Sequence, residues 1–113
     1  MKTLVIATLQ VEGVHRWPNA PDAVGYLREA HRHVFHITVK KKVSHSDREI
    51  EIIQLKHKIA GFLRTLPKYE GDKSVIDFES SSCEDIATGL LTDFDLDYCS
   101  VLEDGENGAE VWA

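Results

Sequence analysis

Two stretches of this chain alternate apolar and polar side chains with a period of two, which restricts the fold to one built on a half-buried sheet. In the first, Leu4 to His15, one parity carries Val5, Ala7, Leu9, Val11, Gly13 and His15. In the second, His31, His33, Phe35, Ile37 and Val39 share one face, with Arg32, Val34, His36 and Thr38 on the other. Between them "WPNAPDAVGY" carries two prolines, Asn19, Asp22 and Gly25 and reads as a loop. The opening "MKTLVIATLQVEGVH" has the apolar run of a short signal peptide. It lacks a small-residue cleavage site and alternates, so it reads as a strand.

Further along, Ile52, Leu55, Ile59, Phe62 and Leu66 fall at helical spacing, and Pro67 ends the pattern. Its start is open: "SDRE" is a capping-box signal from Ser46, whereas "REIEI" can first complete an extended stretch. "PKYEGDKSVIDFE" reads as a loop, and "SSSCEDIATGLL" as a second helix with serine N-cap candidates. "DYCSVLED" and "AEVW" flank the turn "DGENG" as a hairpin. The order expected is ββααββ: one α+β domain over residues 1–113, with a four-stranded antiparallel sheet and both helices on one face.

The chain of 113 residues is long enough for one core, and 42% hydrophobic with 28% charged residues is the balance of a globular protein. No apolar run approaches the length of a spanning helix. Cys83 and Cys99 lie outside metal-type spacing and suggest free thiols, hence a cytoplasmic location. The net charge of −6 is uneven: from Glu70 onward 13 acidic residues face one basic, and before it six acidic residues face 12 basic. That asymmetry makes a poor general binder of nucleic-acid backbone. Lys40–Lys42 reads as a solvated strand end.

Four of the six histidines lie between Gly13 and Val39. Residues two apart in a strand point the same way, about 6–7 Å apart, so His31 and His33 project together. If the strands pair antiparallel, His15 at the end of one lies beside the start of the other. Three imidazoles with an open fourth position are the donor set of a catalytic zinc. Spacing alone leaves a second reading, in which they are strand histidines satisfied by hydrogen bonds. His36 points to the opposite face, and His45 and His57 read as surface residues.

At these residues the chain resembles the 6-pyruvoyl-tetrahydropterin synthase and 6-carboxy-tetrahydropterin synthase family, over nearly its whole length. "GVHRWPNAP" is similar to the family's first zinc-ligand segment and "HRHVFHITV" to its HGH strand. "EIIQLK" looks like the DF-x-x-LK of its first helix, "SCED" like the T-x-E-N opening its second, and "SVLED" like its V-x-E-T strand. The resemblance implies a tunnelling fold and zinc held by His15, His31 and His33. It also implies Glu103 gripping the N–H edge of a pterin or related heterocycle, with Ser82 and Glu84 lining the same pocket. A carboxylate suits that edge because it accepts two parallel hydrogen bonds. On the residues alone, Glu84 is equally a helix-dipole partner and Glu103 a surface residue. The resemblance further implies a homo-oligomer, a trimer or hexamer, with Trp112 in a subunit contact.

The family's proton-transfer groups are replaced. Its catalytic cysteine falls on Leu27, its aspartate on Pro67 and its histidine on Lys68. Leucine and proline can neither take nor orient a proton. Tyr26 and Lys68 are the nearby groups with suitable chemistry, although an exposed loop lysine is the commoner identity of Lys68. Three functions stay open: a protein that holds a pterin- or deazapurine-type ligand without turning it over, a divergent synthase, and a different zinc-dependent reaction such as hydrolysis.

Overall fold

The computed structural model describes all residues, 1–113. β1 (Thr3–His15) and β2 (His31–Val43) form a long antiparallel ladder running from Thr3↔Val43 to His15↔His31. β2 continues into β5 (Tyr98–Glu103), and β5 into β6 (Asn107–Trp112), both antiparallel. On the other flank β4 (Asp72–Asp77) lies parallel to β1 through Gly13↔Ile76 and Val14↔Asp77. The two-residue β3 (Lys68–Tyr69) closes that side. The spatial order is β3-β4-β1-β2-β5-β6.

The sheet thus has six strands rather than four and is mixed rather than antiparallel. A 3-10 segment, Asp22–Arg28, also occupies the loop between β1 and β2. The four-stranded antiparallel tunnelling-fold sheet with order ββααββ is therefore not the architecture of this chain. The physical reason lies in "DKSVID". Only Val75 and Ile76 of β4 are buried, so the segment is too short and too charged to show a period-two pattern.

Directly opposed residues of an antiparallel ladder share a face, so the apolar parities of the strands gather on one face of the sheet. Ala7, Leu9, Phe35, Ile37, Val39, Cys99 and Val101 are buried there. α1 (Ile52–Leu63) adds Leu55, Ile59 and Leu63, and α2 (Cys83–Asp93) adds Ile86, Ala87 and Leu90, all in one core cluster. Those helical positions recur at three- and four-residue intervals, the spacing that keeps side chains on one stripe. Burying a residue such as Phe35 or Ile59, both 0% exposed, stabilises the fold by about 1.5–3 kcal/mol each.

α1 begins where Glu51 accepts hydrogen bonds from Ile53 N and Gln54 N, each 3.0 Å. Of the two starts the sequence leaves open, the capping box at Ser46 is not used. α2 starts at a reciprocal capping box: Ser82 Oγ accepts from Asp85 N, and Asp85 Oδ2 accepts from Ser82 N, each at 3.1 Å. No helix is long and apolar enough to cross a membrane.

Candidate metal centre

The β1–β2 ladder sets the site. His15 pairs directly with His31, and Gly13 pairs with His33, so all three imidazoles stand on the helix-covered face at one end of the sheet. Glu103 enters from β5 opposite Phe35, two rungs from His33 and on the same face. The ring centroids of His15, His31 and His33 are 4.5, 5.4 and 5.1 Å apart, pair by pair. One donor atom from each of His15, His31, His33 and Glu103 lies within 4.8 Å of the other three.

β4, absent from the sequence reading, completes the surroundings. Past its end the chain keeps running beside β1, with Phe78 N donating to Val14 O and Arg16 N donating to Glu79 O, both 2.9 Å. That stretch lays Phe78 against Gly13, where a Cβ would come within 2.6 Å of the Phe78 ring. Phe35 stacks edge-on against Phe78 at 5.0 Å and against His15 at 5.2 Å, giving the cluster an apolar floor. The same stretch brings the Ser81 carbonyl to His15.

Each of the three histidines donates from Nδ1 to an oxygen. His15 Nδ1–H reaches Ser81 O at 2.9 Å, His31 Nδ1–H reaches Glu29 O at 2.9 Å, and His33 Nδ1–H reaches Asp104 Oδ2 at 2.8 Å. A ring that donates from Nδ1 keeps its Nε2 lone pair free, the tautomer that metal-binding histidines adopt. His15 Nε2 and His33 Nε2 are buried without a hydrogen-bond partner. Glu103 Oε2 is only 2.8 Å from His15 Nε2, yet it lies off the line along which a ring N–H would point, so the contact is not a hydrogen bond. Orphaned buried nitrogens are costly in a protein interior, and a cation among them removes the cost. Four-coordinate zinc with bonds of about 2.0–2.1 Å separates its ligand atoms by about 3.3–3.4 Å. Glu103 approaches His15 through Oε2 at 2.8 Å and His33 through Oε1 at 3.7 Å, either side of that value, and imidazole nitrogens with a carboxylate are a donor set that zinc accepts.

Electrostatics point the same way. Burial is the largest influence on His15 and holds its pKa below the ordinary 6.5, favouring the neutral ring that binds metal; the Ser81 hydrogen bond and the Glu103 charge oppose this in part. Asp104 is held below its usual carboxylate range, first by the hydrogen bond from His33 and then by one from Val34 N. The thiol of Cys83, 3.8 Å from Glu103 Oε2, is pushed up to about 12 by burial and remains a donor.

A cavity of about 480 Å³ opens beside the cluster, lined by His15, His31 and Glu103 and by Trp17, Leu27, Ser82 and Glu84. Ser82 and Glu84 thus reach the space expected of them, although the Ser82 hydroxyl also caps α2. Tyr26 and Lys68 do not line it. Tyr26 is 74% exposed on the 3-10 segment. Lys68 Nζ donates to the carbonyls of Arg64 and Leu66 just past the end of α1. Pro67 is also elsewhere, in the groove between the helices. The residue that sequence reasoning passed over is Asp104. Its signal was an aspartate at the strand end, entering the turn with φ of +56°, a conformation aspartate tolerates better than most residues.

Fold and site together define an α+β protein with a candidate three-histidine metal centre at one end of a mixed sheet. No protein-family model matches the chain, and no curated protein matches it.

Proposed function

We propose that this protein binds zinc through His15, His31 and His33 and holds a small planar heterocycle of pterin or deazapurine type in the adjoining cavity. One observation carries the reading: all three Nδ1–H groups donate to fixed oxygens, leaving the Nε2 lone pairs unused, and one donor atom of each histidine lies within 4.8 Å of the others. The cavity of about 480 Å³ is of the size that takes small ligands, and Trp17 and Leu27 supply apolar walls for a flat ring. Ser82 and Glu84 supply polar contacts at its edge. The likeness of the two histidine segments to those of the tetrahydropterin synthases supports the ligand class.

Zinc at these nitrogens would supply a Lewis acid facing the cavity. The chain itself offers little for the family's proton transfers. The cysteine position is Leu27, a cavity wall, and Lys68 is tied to carbonyls outside the cavity. General acid–base groups contribute about 10²–10⁴-fold, so we propose ligand holding rather than the ordinary lyase turnover. Two buried free thiols, Cys83 and Cys99, fit a reducing, cytoplasmic setting.

Native mass spectrometry of the purified protein tests the proposal, reading bound zinc, bound small molecule and subunit number together. The expected result is one zinc per chain in the wild type and none in His31→Ala. A wild type that stays metal-free after incubation with zinc refutes it.

A further inference from the structure

We infer that Glu103 is the fourth ligand of the metal in the resting protein, so that the chain itself closes the coordination sphere. The inference rests on the proposed zinc site and assigns Glu103 a role different from gripping a heterocycle. Recognition of an N–H edge by a carboxylate requires both oxygens to face the ligand, so that they accept two parallel hydrogen bonds. Here each oxygen instead lies near an imidazole nitrogen. Oε2 is 2.8 Å from His15 Nε2 and accepts from the Cys83 thiol at 3.8 Å, and Oε1 is 3.7 Å from His33 Nε2. The carboxylate is aimed into the imidazole cluster from the third strand, completing a four-donor set that two strands alone leave open.

The local chain explains why it stays there. Glu103 is the last residue of β5, and Asp104 turns away immediately after it with a positive φ. The Asp104 carboxylate then clamps Val34 N and His33 Nδ1 at 3.0 and 2.8 Å, fixing the strand end against β2. Adjacent acidic residues thus do separate work: Asp104 orients a histidine from outside, and Glu103 meets the metal from inside. A centre of three imidazoles and one carboxylate is closed in the resting state, and a ligand entering the cavity gains direct access to the metal only by displacing Glu103.

Zinc alone tests the assignment. Its affinity is measured by competition with a chromophoric chelator for wild type, Glu103→Ala and the near-isosteric Glu103→Gln. Separately, cobalt(II)-loaded wild type and Glu103→Gln are titrated with azide, followed by visible absorption. Loss of an outer partner weakens metal binding about 10–100-fold, so a true ligand is expected to cost more than about 100-fold in Glu103→Ala. A smaller loss overturns the inference. An azide response confined to Glu103→Gln supports it, and an equal response in the wild type overturns it without reliance on the alanine variant's folding. Wild-type protein that takes up no zinc would instead refute the metal site itself, an outcome distinct from zinc binding that survives removal of Glu103.

Discussion

Replacing Asp104 by Asn isolates the contribution of a single outer hydrogen bond to the metal centre. The wild-type carboxylate accepts twice, from Val34 N at 3.0 Å through Oδ1 and from His33 Nδ1–H at 2.8 Å through Oδ2. Asparagine keeps the backbone, because it tolerates the φ of +56° at this position. It has only one oxygen to offer, and the backbone N–H of Val34 holds it in place. The amide NH₂ then faces the His33 Nδ1–H, donor against donor. His33 can relieve this by moving its proton to Nε2, which removes the lone pair the metal needs. Loss of such an outer partner weakens metal binding about 10–100-fold. Asp104 has a half-exposed side chain, so water partly replaces it, and the expected loss is near the lower limit, about tenfold. Chelator competition at neutral pH measures it, and ¹⁵N chemical shifts of the His33 ring report the tautomer. Zinc affinity within about twofold of wild type, with His33 still protonated at Nδ1, would refute the reasoning.

Two further outcomes follow from the surroundings. Gly13→Ala drives a methyl against the Phe78 ring and, at 3.0 Å, the Phe35 ring, so it is expected to destabilise the fold by about 1–3 kcal/mol in urea denaturation. An unchanged midpoint would mean that Phe78 can shift aside. For the metal-free protein, burial holds His15 below its ordinary 6.5, so as pH falls through that value the unfolded chain takes up the proton before the folded one. Stability should be full well above pH 6.5 and decline as pH falls below it; a slope unaltered in His15→Asn would count against the assignment.

The histidine geometry was legible because parity in a strand is a strict rule: His15, His31 and His33 share the face of Leu9, Phe35 and Ile37. The hairpin around "DGENG" and the Ser82 cap were legible for similarly local reasons. β4 was not, since its place in the sheet depends on a parallel pairing with β1 from some sixty residues away. With β4 went the Ser81 carbonyl on His15 and the Phe78 floor, neither of which has a local signature. The start of α1 stayed open in the sequence because Ser46 satisfies a capping pattern, whereas Glu51 satisfies the backbone donors in three dimensions. Glu103 was singled out, but a carboxylate's direction depends on neighbours from three strands.

The β1–β2 ladder has a consequence for how mutation can reshape this protein. Its thirteen rungs run unbroken from Thr3↔Val43 to His15↔His31, so a one-residue slip of β2 would turn His31 and His33 together away from the face of His15. Deleting a single residue between His33 and Val39 is therefore a far more disruptive change than lengthening the segment between Arg16 and Ala30. That segment leaves and re-enters the sheet at a fixed rung, which makes it the natural place for evolution or a designer to add chain above an unchanged set of donors.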